Sequence, residues 1–209
     1  MKVKHRFLKW LAMLLLLIAS TSGTMAQYGS SGDQTVCLDS YHPYGIAFHA
    51  GSTYAWSIVA GSGGAGTITN GATENLISVL WTSSGTCTLQ VIETNAAGCS
   101  APAKTIGITV SPLPTPTFTT APTPVCANST GNVYTTQAGQ SNYVWNVTGG
   151  TITAGGTATS NTVTVSWGAA GTGHVTVNYN NAAGCSAASA TDQSVTINAL
   201  PTPTDITWD

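Results

Sequence analysis

Asn161-Thr162-Val163-Thr164-Val165-Ser166-Trp167 alternates polar and apolar side chains from Thr162 onward, the two-residue period of a strand that buries one face. Ile77-Ser78-Val79-Leu80-Trp81 sets Ile77, Val79 and Trp81 on the same kind of face 86 residues earlier. The runs that follow them, Thr88-Leu89-Gln90-Val91-Ile92-Glu93 and His174-Val175-Thr176-Val177-Asn178-Tyr179, alternate in the same phase. Upstream, Tyr54, Trp56 and Ile58 correspond to Tyr143, Trp145 and Val147. The closing runs place Ile106, Ile108 and Val110 against Val195 and Ile197.

These pairs belong to a duplication. Asn95-Ala96-Ala97-Gly98-Cys99-Ser100-Ala101 returns unchanged as Asn181-Ala182-Ala183-Gly184-Cys185-Ser186-Ala187, Cys37 returns as Cys126, and Leu113-Pro-Thr-Pro-Thr117 returns as Leu200-Pro-Thr-Pro-Thr204. Offsets that drift only between 86 and 89 residues imply short loop insertions within one shared fold. Gly61 to Gly66, Gly149-Gly150, Gly155-Gly156, Gly171 to Gly173 and the Asn-Ala-Ala-Gly tips supply the turns. About seven short strands per unit of about 85 residues, with no helical period, predict an all-β chain of two tandem immunoglobulin-like β-sandwich domains. The second Pro-Thr element is followed only by Asp205 to Asp209, where another copy is expected to begin, so the sequence reads as part of a longer array.

The N-terminus reads as a secretory signal peptide. Lys2, Lys4, Arg6 and Lys9 precede an apolar run from Leu11 to Ala19, and the small-residue stretch ending Thr24-Met25-Ala26 predicts cleavage after Ala26. The apolar run is too short to span a bilayer comfortably, which predicts no membrane insertion after cleavage. Four of the five basic residues leave with it. Lys104 alone then faces seven carboxylates, a formal charge of −6. One cation cannot neutralise a phosphate backbone, so nucleic acid is excluded as a partner, and anionic membrane surfaces with it.

An oxidising compartment makes disulfides the expected use of the cysteines. The simplest arrangement is one bridge per unit, Cys37 with Cys99 and Cys126 with Cys185. Cys87, whose counterpart is Gly173, is left over as a buried thiol, a competitor for Cys37 or Cys99, or a bridge to another chain. No Cys-x-x-Cys or paired Cys/His cluster points to zinc, and the scattered carboxylates do not converge as calcium ligands, so no metal or other cofactor is expected. Asp39 and Asn128, two residues past the first cysteine of each unit, read as turn-capping side chains.

Catalysis finds little support. His42, His49 and His174 do not recur between the copies, and Asp33, Asp39, Glu74 and Glu93 lack repeated partners, Glu93 being replaced by Tyr179. The chain therefore reads as no enzyme, with no catalytic residues. Trp56, Trp81, Trp145 and Trp167 lie in phase with Val and Ile, and are expected to fill the cores rather than to stack sugars. Tyr41 and Tyr44, beside Pro43, are the expected exposed aromatics, and they carry the alternative of a carbohydrate-binding accessory domain. Asn128-Ser-Thr130 and Asn146-Val-Thr148 fit the glycosylation pattern.

Val36-Cys37, Tyr54-x-Trp56, Trp81, Asn95 to Cys99 and Leu113-Pro-x-Pro116, followed by Val125-Cys126, Tyr143-x-Trp145, Val163-x-Val165-x-Trp167, Asn181 to Cys185 and Leu200-Pro-x-Pro203, form an ordered set. The set resembles the PKD-like repeats of secreted and cell-surface proteins of Bacteroidetes. The resemblance implies an immunoglobulin-like sandwich, export, and tandem arrays on adhesins, gliding-motility-associated proteins or secreted enzymes. The acidic turn that follows the Trp in the better-known form of the family is replaced here by Ser57-Ile-Val-Ala-Gly61 and Asn146-Val-Thr-Gly-Gly150, so a ligand role tied to it does not transfer. The resulting organisation is a signal peptide at 1–26, one PKD-like repeat at 27–112, a Pro/Thr linker at 113–117, a second repeat at 118–199, and a linker with the truncated start of a further segment at 200–209. The expected role is a non-catalytic structural or adhesive spacer, secreted or on the cell surface, whose partner is a protein or glycan there. The alternatives are a carbohydrate-binding accessory domain or an interaction module of a gliding or secretion apparatus.

Overall fold

The computed structural model describes residues 32–205, so the signal peptide and Trp208 lie outside the described residues. Within them the chain is all β. The first half contains β1 (Gln34–Cys37), β2 (Tyr41–Gly45), β3 (Thr53–Ala60), β4 (Ala65–Asn70), β5 (Leu76–Ser83), β6 (Gly85–Thr94) and β7 (Lys104–Ser111). The second contains β8 (Phe118–Thr120), β9 (Val125–Cys126), β10 (Asn132–Thr136), β11 (Ser141–Thr148), β12 (Gly150–Gly155), β13 (Thr162–Trp167), β14 (Gly171–Asn180) and β15 (Thr191–Asn198).

The duplication seen in the sequence is a duplication of topology. One sheet of the first half runs β1-β7-β6-β3 and the facing sheet runs β2-β5-β4; the second half repeats them as β9-β15-β14-β11 and β8-β10-β13-β12. Alternation decides which residues meet between the sheets. Val79 and Trp81 from β5 pack with Leu89 from β6 and Ile108 and Val110 from β7, and Val163, Val165 and Trp167 pack with Val175, Val177 and Val195. Each half thus encloses its own hydrophobic core between two sheets.

Three of the four expected core tryptophans are buried: Trp81, Trp145 and Trp167. Trp56 is only half-buried at the margin of its core, a correction to the expectation. Its indole N–H donates to the Glu74 carbonyl at 2.8 Å, as Trp145 donates to Ser160 at 2.9 Å, and that hydrogen bond draws each ring to the sandwich edge. Trp81 and Trp167 lie deeper, set edge to face against Tyr44 and Tyr134 at 6.1 and 6.0 Å. Tyr44 is therefore a core residue, not the exposed aromatic its neighbour Pro43 suggested. A glycine faces each of these indoles: a Cβ on Gly66 would fall 2.6 Å from Trp81, and one on Gly173 would fall 2.2 Å from Trp167. Cys87, which stands where the second half has Gly173, is buried with a free thiol among the first core's residues.

Asp39 and Asn128 serve their turns through the backbone. Both have φ of 59°, the left-handed region that Asp and Asn tolerate best among residues with a Cβ, and their N–H groups donate to Trp81 and Gly168 carbonyls.

Candidate functional site at the junction of the two halves

The one disulfide of the described residues joins Cys37 to Cys185, 148 residues apart, with Cα atoms 5.5 Å from each other. This corrects the expected bridges of Cys37 with Cys99 and Cys126 with Cys185. Cys99 and Cys126 are free and exposed. The sheet registry explains why neither expected bridge closes. Cys37 lies opposite Ser111, at the end of β7, whereas the tip carrying Cys99 adjoins Lys104, at its start. Seven residue steps of strand separate those ends by about 23 Å, several times the reach of a disulfide. In the second half, Cys126 lies opposite Asn198 and the Cys185 tip sits at the start of β15. Each unit holds its two recurring cysteines at opposite poles, and the Cys37 pole of the first meets the Cys185 pole of the second.

The tip that delivers Cys185 is built by one side chain. Asn181 Oδ1 accepts hydrogen bonds from the Ala183 and Cys185 N–H groups at 3.0 Å each, and Gly184 takes a φ of 82° to close the turn. The amide end of the same side chain points the other way. It donates to the Pro112 carbonyl at 2.9 Å and approaches Ser111 Oγ at 3.3 Å, so Asn181 shapes the tip and docks it on the first half.

The Pro/Thr linker is also held. The Tyr179 hydroxyl and Thr191 Oγ1 donate to the carbonyls of Thr115 and Pro116, and the Thr117 N–H donates to Gln137 Oε1 at 3.1 Å. Gln137 Oε1 accepts from the Tyr179 hydroxyl as well, at 2.9 Å, and Pro116 is buried. Proline restricts the backbone, and these bonds fix what remains free. Asn181, Tyr179 and Gln137 are the functional residues that sequence reasoning missed. The signal is present in the heptapeptide that returns unchanged, whose Asn-Ala-Ala-Gly sequence by itself marks only a turn.

Other candidates offer less. His49 Nδ1 pairs with Glu93 at 2.8 Å and His174 Nδ1 with Asp192 at 2.9 Å, both at the surface. Hydrogen bonding from Ser52, with a smaller contribution from His49, holds the Glu93 carboxyl below its ordinary value against a partial opposing effect of burial. Burial alone pushes the His42 imidazole down and the Cys87 thiol up, the latter making that sulfur a poorer nucleophile. Among the described residues no group of three or more His, Cys, Asp or Glu converges on a metal position. A shallow cleft of about 250 Å³ beside Asp33, Gly61, Cys87 and Gly107 gathers no acid-base pair. Tyr41 and Phe48, 63% and 67% exposed, are outward-facing aromatics, and none of the four tryptophans forms a platform with them. No helix of the described residues is long and apolar enough to cross a membrane.

A comparison with curated proteins finds no match. Among solved structures, the chain is similar to fibronectin(III)-like modules of CbhA from Clostridium thermocellum, at 12% identity over 84% of this chain and 96% of that one, with a TM-score of 0.36. It is also similar to the D00-D0 domain of intimin, at 13% identity over 82% and 96% with a TM-score of 0.38. A third similar structure is SGBP-B of Bacteroides ovatus in complex with a mixed-linkage heptasaccharide, at 14% identity over 81% and 47% with a TM-score of 0.25. Residues 112–195, which span the linker and most of the second half, match the family model of the PKD-like domain.

Proposed function

We propose that the chain is a non-catalytic spacer of two PKD-like sandwich repeats, exported by its N-terminal signal peptide and displayed outside the cell, where it holds a neighbouring functional segment at a set distance and orientation. In this reading residues 27–112 and 118–199 are the repeats, 113–117 is the linker between them, and 200–209 begin with a second copy of that linker. The observation that carries it is the junction. A spacer needs consecutive units that neither hinge nor separate, and the Cys37–Cys185 bridge, the Asn181 tip and the bonded linker together supply that rigidity. A disulfide also belongs to an oxidising compartment, in accord with export. Placing spin labels on the two halves and measuring distances between them tests the proposal. A narrow distance distribution in the oxidised protein that broadens on reduction is the expected result, and a broad distribution before reduction would exclude a spacer role.

The adhesive partner is a protein or glycan at the cell surface. Exposed Tyr41 supports the carbohydrate-binding alternative. Glycan-array binding that Tyr41→Ala abolishes without altering the fold would favour that reading over a plain spacer.

A further inference from the structure

The bridge leaves two thiols that are complementary by construction. Cys126 is the counterpart of Cys37, beside Asn198 at the end of β15 as Cys37 is beside Ser111 at the end of β7. Cys99 is the counterpart of Cys185, on a tip of identical sequence and identical internal bonding. Asn95 Oδ1 accepts from the Ala97 and Cys99 N–H groups at 3.0 and 2.9 Å, and Gly98 has the same φ of 82° as Gly184. Burial separates the two tips: Cys185 and Ala187 are buried in the junction, whereas every residue from Asn95 to Ala101 is exposed. The molecule therefore carries one formed junction and, at opposite poles, the two unpaired halves of another.

We propose that a second copy of this chain docks head to tail, its Asn95–Ala101 tip seated against Cys126, Asn198 and Ala199 of the first, and that Cys99 and Cys126 then form an intermolecular disulfide. The Ala199 carbonyl replaces that of Pro112 as acceptor for the Asn95 amide, and Asn198 Oδ1 replaces Ser111 Oγ. Phe48 of the second copy, 67% exposed, lies in the loop equivalent to the one that holds the linker in the second half, and it offers an apolar rest for Leu200 and Pro201 of the first copy. The contact is heterologous, so it propagates into an open chain or closes into a ring.

The covalent step needs an oxidant of the small-molecule disulfide class, such as oxidised glutathione. The Cys126 thiolate attacks one of its sulfurs, forming a mixed disulfide and releasing one glutathione thiolate. The Cys99 thiolate then attacks the Cys126 sulfur and releases the second. The two cysteines lose two electrons, the glutathione disulfide gains them, and the two cysteine protons end on the released thiolates. Burial and a raised thiol keep Cys87 out of this exchange.

The inference rests on the spacer reading for its oxidising compartment and on the Cys37–Cys185 junction for its template. The purified chain is oxidised in a glutathione buffer over a range of protein concentrations, run on a non-reducing gel, and mapped by mass spectrometry after alkylation and digestion. The expected result is a concentration-dependent ladder joined by Cys99–Cys126, unchanged by C87S. C99S and C126S each abolish the ladder alone, and mixing the two variants restores a single dimer band. Asn95→Asp, which keeps a side-chain oxygen to shape the tip but loses the docking amide, slows linking by about tenfold, as the loss of that interface donor predicts. Links between two Cys99 or two Cys126 residues in equal yield, an intramolecular Cys99–Cys126 bridge, or a mixture that gives no dimer would overturn the inference while leaving the Cys37–Cys185 spacer intact. A monomer mapped with Cys37–Cys99 and Cys126–Cys185 would remove the junction as well.

Discussion

Pulled from its two ends, the oxidised protein should refuse to lengthen. The covalent route from the N-terminal to the C-terminal attachment enters the bridge at Cys37 and leaves at Cys185, 148 positions later, so the residues between them carry no tension. Only residues 32–36 and 186–205 of the described chain lie outside that loop. Fully extended, those stretches add at most about 85 Å. Reduction opens the loop, and unfolding of both cores then releases a further length of about 500 Å. Optical-trap measurements with handles at the termini, made with and without a phosphine reductant, read this difference directly. The bridges expected from the sequence give another signature: with Cys37–Cys99 and Cys126–Cys185 closed, the oxidised chain would pay out residues 100–125, and reduction would add two steps of about 200 Å each. Either that pattern or an oxidised release of about 250 Å, the length of one complete half, would refute the bridge and the load path derived from it.

The same bridge sets the order of chemical unfolding. With the first half folded, unfolding the second closes a loop of about 74 residues between Ser111, opposite Cys37, and Cys185, so the bridge stabilises whichever half unfolds first by about 4.4 kcal/mol, and the second by only about 0.6 kcal/mol more. Urea titration of C37S/C185S by tryptophan fluorescence should therefore show a lower midpoint and a wider separation of the two halves than the oxidised protein. Gly173→Ala drives a Cβ into the Trp167 ring and should destabilise the second half by about 1–3 kcal/mol, while Trp81→Ala, which empties the first core, should cost that half about 3–5 kcal/mol; calorimetry of each variant decides. Glu93 is held low in the folded protein, so its contribution is present at neutral pH and is lost as pH falls from the ordinary carboxyl value of 4.5 through its own. Ser52→Ala, which removes the largest cause, should move the Glu93 titration upward in a carboxyl-detected NMR experiment.

The strands and cores were legible because alternation is a local property. Val163, Val165 and Trp167 announce a buried face without reference to any other part of the chain, and the duplication checks each assignment once. Tyr44 reads as exposed from the sequence because Pro43 and His42 mask its phase, and its pairing with Trp81 across the core is a contact between strands distant in sequence. The disulfide escaped for a similar reason. Two recurring cysteines per unit are compatible with a bridge inside each unit or between units, and only the registry of β1 on β7, which puts Cys37 at the far end from Cys99, separates these cases. Composition marks 113–117 only as a Pro/Thr linker, whose prolines restrict its backbone. Its actual stiffness comes from carbonyls caught by Tyr179, Thr191 and, through the adjoining N–H of Thr117, by Gln137, none of which composition identifies.

β1 runs beside β7 in the same direction over four registered residues, and β9, the strand after β8, runs beside β15 in the same direction over two. Once the thiols are reduced and opposite ends are drawn apart, neighbouring strands of like direction slide past each other, so their hydrogen bonds are loaded together rather than opened one at a time like a zipper. The first half grips with twice as many rungs. A reduced molecule should yield at its carboxy-terminal sandwich first, which makes the second unit a mechanical fuse for the one that precedes it.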